Sequence, residues 1–249
     1  MDMPDEGSSP VHCYRTLSDF HELDCRERLN VASYNNVHLE DEERKAANLG
    51  MTVDLADRAA YPQAVKVHNA VLSMIAKLWN CPKPADFDER GAFAGAGTVG
   101  GTEACVLAGL CLKLRWRQWY AKKHGLTQEQ VRGVCPNLVL STCYHEAWEK
   151  LFRYMDVQPR FVAPSKDTFA LTADDVRHRI DERTIGVVCI LGNHYGGQYD
   201  PVWDVDAMLA ALNEERGWQV GIHVDASLGG FVAPFQDGMP AWDFRLPRV

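Results

Sequence analysis

Four places in this sequence hold residue types that could do chemistry. The first is the run Gly95-Ala96-Gly97-Thr98-Val99-Gly100-Gly101-Thr102-Glu103. Glycines that open straight into a helix leave its first amides without intrahelical partners, at the positive end of the helix dipole, where a phosphate binds well. The run contains a literal G-x-G-x-x-G, the dinucleotide pattern. However, residues 86–93 (DFDERGAF) before it do not read as a strand, and residues 117–122 (RQWYAK) after it offer no acid for a ribose. A dinucleotide site is therefore rejected. Taken alone, the run reads better as a plain glycine loop with Thr102 as helix N-cap.

The second place is Ile222-His223-Val224-Asp225-Ala226, an apolar run ending in a carboxylate that could pair with a cationic ring nitrogen. The bland alternative is an Asp that caps the next turn. Gly229 and Gly230 follow and fit a tight turn or a close backbone approach. The third and fourth are His145 and His194, each a few residues past an apolar run, where an imidazole could stack on a flat ligand or serve only as a hydrogen-bonded structural residue.

These groups must be positioned by the elements around them. Residues 137–141 (NLVLS), 160–163, 184–191 (TIGVVCIL) and 219–224 (QVGIHV) read as strands. The spacing predicts helices over 102–122, 144–154, 172–182 and 205–216, and an earlier one from Tyr61-Pro62 to Cys81-Pro82, whose apolar face runs Val65, Ala70, Val71, Met74, Ile75, Leu78 and Trp79. Residues 172–182 open with Thr172 and Asp175, as a capping box does. Residues 39–48 are charge-rich and helical within a mixed, polar stretch over 10–60, residues 1–9 read as a disordered tail, and residues 82–96 form a loop. Strand and helix in alternation make this an α/β chain with a mostly parallel sheet flanked by helices. In such sheets ligands sit beyond the carboxyl ends of the strands. Three strand ends and one helix terminus thus offer polar groups to one edge, and that convergence outweighs any single member.

Composition narrows the class. A net charge of −8 over 249 residues argues against nucleic-acid binding and against an anionic membrane surface, both of which want clustered Lys and Arg. No apolar run approaches the length of a membrane helix, and the first residues lack the basic start and apolar core of a secretory signal. Eight scattered cysteines, none in C-x-x-C, read as free thiols of a cytoplasmic protein.

Several longer stretches resemble the glutamate decarboxylases, the group II pyridoxal-phosphate-dependent decarboxylases of fold type I. They are residues 97–116 (GTVGGTEACVLAGLCLKLRW), 137–157 (NLVLSTCYHEAWEKLFRYMDV), 184–202 (TIGVVCILGNHYGGQYDPV), 222–235 (IHVDASLGGFVAPF) and 242–249 (WDFRLPRV), with LNVASY at 29–34 and AYPQ at 60–63 upstream. The resemblance runs from about Asp24 to Val249 and implies an incomplete large cofactor domain over 61–249, preceded by a dimer-contacting segment over 1–60. It implies pyridoxal 5'-phosphate as cofactor, L-glutamate as substrate, and a homodimer or higher homo-oligomer. Gly101 and Thr102 match the pair that holds the cofactor phosphate, His145 the residue stacked on the ring, and Asp225 the partner of the ring nitrogen. His194 falls where Thr is usual near the cofactor, and Ser227 where Ala is usual beneath the ring. Ser33, Tyr34, Asp57 and Asp54 match positions that bind the substrate's distal carboxylate across a dimer interface. The lysine that carries the cofactor is expected a short way past Val249, so by this resemblance the chain is a fragment and is inactive alone. Another acidic amino acid as substrate, such as aspartate or cysteine sulfinate, and a non-catalytic truncated homologue that binds a partner subunit are the competing expectations.

Overall fold

The computed structural model describes residues 6–29, 38–83 and 93–249. They belong to two compact units, Met1–Val53 and Asp54–Val249. In the first, helix α1 spans Pro10–His21 and α2 spans Asp41–Gly50, and neither contains a buried residue. Ser9 caps α1 by accepting from His12 N at 3.2 Å, so part of the expected tail is ordered around a helix that the sequence reading did not place. Its apolar residues, Val11, Tyr14, Leu17 and Phe20, stand three apart, but all are exposed, so no core marks the segment. Arg44 pairs with Glu27 at 3.0 Å, and the Glu43 carboxylate accepts from Glu40 N at 2.7 Å to fix the start of α2.

The second unit is a four-stranded parallel sheet with helices on both faces. In chain order it contains α3 (Pro62–Leu78), α4 (Gly101–His124), α5 (Gln128–Arg132), β1 (Asn137–Ser141), α6 (Ala147–Met155), β2 (Gln158–Val162), α7 (Ala173–Arg177), β3 (Thr184–Ile190), α8 (Val202–Arg216) and β4 (Gly221–Asp225). The strand order is β2-β1-β3-β4, parallel throughout. β1 and β3 occupy the middle and are buried along their whole length, which is why they read as unbroken apolar runs. One face carries Val139, Val187, Cys189 and Ile222 against Val205 and Leu209 of α8. The other carries Leu138, Leu140, Val188 and Ile190 against Trp116 of α4 and Trp148 and Leu151 of α6. Ile185 joins the second face out of strict alternation, because the β1–β3 register slips between Asn137 and Leu138.

Two close approaches lock α4, one to α6 and one to the sheet. A Cβ on Gly109 of α4 would lie 2.3 Å from Leu151 Cδ2 of α6, and one on Gly186 of β3 would lie 2.9 Å from Leu112 Cδ1. The helix expected over 172–182 is shorter, Ala173–Arg177, because Asp181 is drawn into the entry of β3. There Asp181 accepts from Asn137 Nδ2 at 2.9 Å and pairs with Arg160, while Asp181 N donates to Thr184 Oγ1 at 2.9 Å. The expected apolar face of α3 is only partly covered: Ala70, Val71 and Met74 are exposed, while Val65, Ile75, Leu78 and Trp79 are half-buried and Trp79 packs against the core. All eight cysteines are free thiols. Among the described residues no helix is long and apolar enough to cross a membrane.

Candidate functional site at the carboxyl edge of the sheet

Because β1, β3 and β4 run parallel, the residues that follow them emerge at one edge. Asp225 is the last residue of β4. Its Oδ1 accepts from Ser227 Oγ at 2.8 Å, and its Oδ2 accepts from Trp148 Nε1 at 3.1 Å. Trp148 is fully buried in the first turn of α6, and its ring also meets His223 edge-on at 5.1 Å. The turn alternative for Asp225 is thereby set aside: both carboxylate oxygens take side-chain donors.

His145 stands between β1 and α6. Its Nδ1 accepts from Ala147 N at 3.1 Å, so the imidazole also helps to open α6. His194 sits in the excursion that follows β3. The chain leaves the strand at Gly192, whose φ of +93° suits glycine, and returns through a bridge between Leu191 and Tyr199. Asn193 shapes the bend by accepting from Tyr195 N at 3.1 Å and Gly196 N at 2.9 Å. The His145 and His194 rings meet edge-on, 6.1 Å apart and at 75°. Burial lowers the His194 pKa first, the neighbouring His145 lowers it further, and Asp225 opposes both. His194 therefore lies within electrostatic reach of both His145 and Asp225.

The start of α4 reaches the same neighbourhood. Cys105, one turn in from Thr102, has its thiol pushed up to about 12, by burial first and by the Asp225 carboxylate second. Gly100 is the N-cap, so Gly101 and Thr102 are the first two helical residues and Thr102 is not the cap. Glu103 turns its carboxylate back to accept from Val99 N at 2.8 Å. A Cβ on Gly100 or Gly101 would meet nothing within 4 Å, so the glycines leave the backbone bare toward open space rather than toward a crowded neighbour. Thr102 also borders a hollow of about 280 Å³ with Glu146, Ala147 and Lys150.

The structure thus brings Asp225, Ser227, His145, His194 and the start of α4 together. It does not bring Asp54 and Asp57 to them. Asp54 Oδ1 accepts from Ala56 N at 2.9 Å, and Asp57 Oδ1 accepts from Ala59 N at 3.1 Å and Ala60 N at 3.0 Å, so both exposed carboxylates build the turn that leads into α3. Ser33 and Tyr34 lie outside the described residues. Two residues escaped the sequence reading. Trp148 was not singled out within the helix expected over 144–154, although a Trp three residues past His145 stands nearly on the same helical face. Asp200 carried no local signal.

The residues 47–249 match the pyridoxal-dependent decarboxylase conserved domain. Glutamate decarboxylase beta of Listeria innocua is 37% identical over 244 residues, covering 98% of this chain and 50% of that protein. Glutamate decarboxylase of Lactococcus lactis is 35% identical over the same length, again covering 50% of its own sequence. The chain thus spans about half the length of the curated relatives it matches. Among solved structures, the glutamate decarboxylase of Lactobacillus brevis superposes over the whole chain with a TM-score of 0.87 at 34% identity, and 54% of that protein is covered. A sphingosine-1-phosphate lyase from Burkholderia pseudomallei, at 23% identity and a TM-score of 0.76, shares the fold. With its parallel sheet and the match over residues 47–249, the chain belongs to the pyridoxal-dependent decarboxylase family.

Proposed function

We propose that this chain is part of an enzyme that uses pyridoxal 5'-phosphate to remove the α-carboxylate of L-glutamate, giving 4-aminobutanoate and carbon dioxide. One observation carries the reading: a carboxylate held by two side-chain donors shares an edge with two imidazoles and a glycine-opened helix start. The residues fit the cofactor feature by feature. The bare amides of Gly101 and Thr102, with the Thr102 hydroxyl, suit a phosphate. The Asp225 carboxylate suits a cationic ring nitrogen. His145 offers a flat ring to stack on, and His194 and Ser227 border the same space.

When bound, the cofactor supplies an electron sink for the bond to the departing carboxylate. Asp225 then holds a proton at the ring nitrogen through a charge-assisted hydrogen bond. The α4 amides and His145 would hold the cofactor's phosphate and ring and so position it against the substrate. Trp148 keeps Asp225 in place from behind. Ser33, Tyr34, Asp54 and Asp57 are assigned to the distal carboxylate of the substrate across a homodimer interface. The reading includes a cytoplasmic homo-oligomer, with residues 1–60 contacting the partner, residues 61–249 contributing to the cofactor domain, and the cofactor's lysine beyond Val249.

The test is carbon dioxide release by the full-length protein that contains this chain, offered L-glutamate, L-aspartate or L-cysteine sulfinate. Turnover of glutamate above the other two, lost in Asp225→Ala, is the expected result. Preference for another acid replaces the substrate, and no cofactor-dependent turnover of any of the three removes the reading.

A further inference from the structure

Asp225 offers about four lone-pair sites on its two oxygens. Ser227 Oγ takes one on Oδ1 at 2.8 Å, and Trp148 Nε1 takes one on Oδ2 at 3.1 Å. The two donors differ in kind. Trp148 is fully buried, and its indole has no other use for its N–H than to meet an acceptor. Ser227 is exposed at the open side of the edge, two residues along the chain, and its hydroxyl could turn to water instead. A carboxylate already held from behind by Trp148 does not need a second donor for orientation. A donor on its open side therefore changes mainly how much of the carboxylate's charge is left for a third partner.

We propose that Ser227 is a positioning residue that weakens the hold of Asp225 on the ring-nitrogen proton of a pyridoxal-type ligand, by keeping one Oδ1 lone pair and part of the charge engaged. This inference rests on the cofactor reading above. The other titratable groups facing Asp225 are His194 from the excursion after β3, with His145 beyond it, His223 from β4 itself and Cys105 from α4. Cys105 stays protonated through the neutral range, since its thiol is pushed up to about 12. Burial lowers the pKa of both His194 and His223, which favours their neutral forms above mildly acidic pH. Near neutrality and above, Ser227 is then the neighbour whose removal changes the Asp225 environment without changing its charge balance.

The experiment uses the full-length protein that contains this chain, freed of bound cofactor, with pyridoxamine 5'-phosphate labelled with nitrogen-15 in the ring. Its binding needs no lysine. The ring-nitrogen shift of the bound probe is followed against pH in the wild type, Ser227→Ala, Ser227→Thr and Asp225→Asn, with equilibrium dialysis for affinity and thermal melting for the fold. Ser227→Ala should raise the titration midpoint of the bound ring by about half a unit, the scale on which one hydrogen bond to a charged group shifts a proton equilibrium. Ser227→Thr, which keeps the hydroxyl, should restore the wild-type midpoint, and Asp225→Asn should lower it. If the wild type binds the probe and Asp225→Asn lowers the midpoint, yet Ser227→Ala leaves it unchanged or lowers it, the Ser227 inference alone is overturned. If the wild-type full-length protein takes up no probe, the cofactor reading falls and the inference with it. A purely structural role for Ser227 would move the melting temperature and not the midpoint.

Discussion

Asp200 accepts from Ile190 N at 2.7 Å and from Leu171 N at 2.9 Å, while the Asp225 carboxylate accepts from Trp148 and Ser227 side chains. Both stand near the carboxyl end of the sheet. Asp200 is 2% exposed and ties the base of the His194 excursion to β3 and to the segment before α7. Asp225 is half-buried, with lone pairs left over and a histidine within electrostatic reach. Carboxylates bound by main-chain amides build a loop. One held by side chains from another element, with room beside it, is available to a ligand. The difference lies in who the donors are, not in residue type or in position along a strand.

The comparison makes its largest prediction for stability. Asp200→Ala leaves two buried amides without acceptors, at about 1–3 kcal/mol each, partly offset by removing a buried charge. A net loss of up to about 4 kcal/mol is expected by urea unfolding. Asp225→Ala strands only the Trp148 indole N–H and should cost about 1 kcal/mol, with the loss of function far exceeding it. Equal stability losses for the two variants would break the distinction.

The second prediction concerns pH. Burial raises the Asp200 carboxyl from its ordinary 3.8 to about 6, and the two amide bonds only partly oppose that rise. A carboxyl whose folded pKa is raised takes up a proton on folding between those two values. Its ionised form is the costly one, so its contribution is most favourable below about 4 and is lost as pH rises to about 6. The difference spans about 3 kcal/mol. The stability gap between the wild type and Asp200→Ala should therefore narrow from pH 4 to pH 6 and stay level above that. A gap that widens over the same range would contradict the assignment. Asp225→Ala serves as the control at the same end of the sheet.

A third prediction joins the two regions. Gly229 lies between them: its N–H donates to Leu191 O at 2.7 Å, and a Cβ there would sit 2.3 Å from that same backbone oxygen. Neither side can yield as a flexible side chain would. Gly229→Ala should cost about 2 kcal/mol and shift the segment that carries Ser227, visible as weaker binding of the ring probe. A fully stable variant with unchanged binding would show that the two regions move independently.

The contrast between the carboxylates also marks what could be read from the sequence. β1 and β3 were legible because their burial is continuous, so each is an apolar run bounded by turns. Asp225, His145 and His194 were legible because a parallel sheet sends its strand ends to one edge whatever the side chains beyond. Asp200 was not, since its partners lie 10 and 29 residues away and are amides, which have no residue type. Trp148 reaches Asp225 across 77 residues. Helix α1 lacks the buried face that would have marked it, and the end of α7 is set by a network around Asp181 rather than by its own propensity. The fold was therefore readable where burial follows chain periodicity, and obscure where a polar side chain closes a long loop.

The smallest effect tests the comparison most finely. Trp148→Phe keeps a six-membered ring in the core but removes the donor to Asp225 Oδ2 and the volume of the indole's second ring. Beyond the cavity it leaves, the lost hydrogen bond should cost about 1 kcal/mol. The informative quantity is its coupling to Asp225→Ala in a double-mutant cycle. If the indole holds the carboxylate, most of that 1 kcal/mol should vanish when Asp225 is already gone, giving a coupling of about the same size. Trp148→Phe paired with Asp200→Ala should instead be additive within about 0.5 kcal/mol, because Asp200 draws on main-chain amides alone. Strong coupling of Trp148 to Asp200 and none to Asp225 would mean that the edge is organised through the loop base, and that the indole bond to Asp225 is incidental.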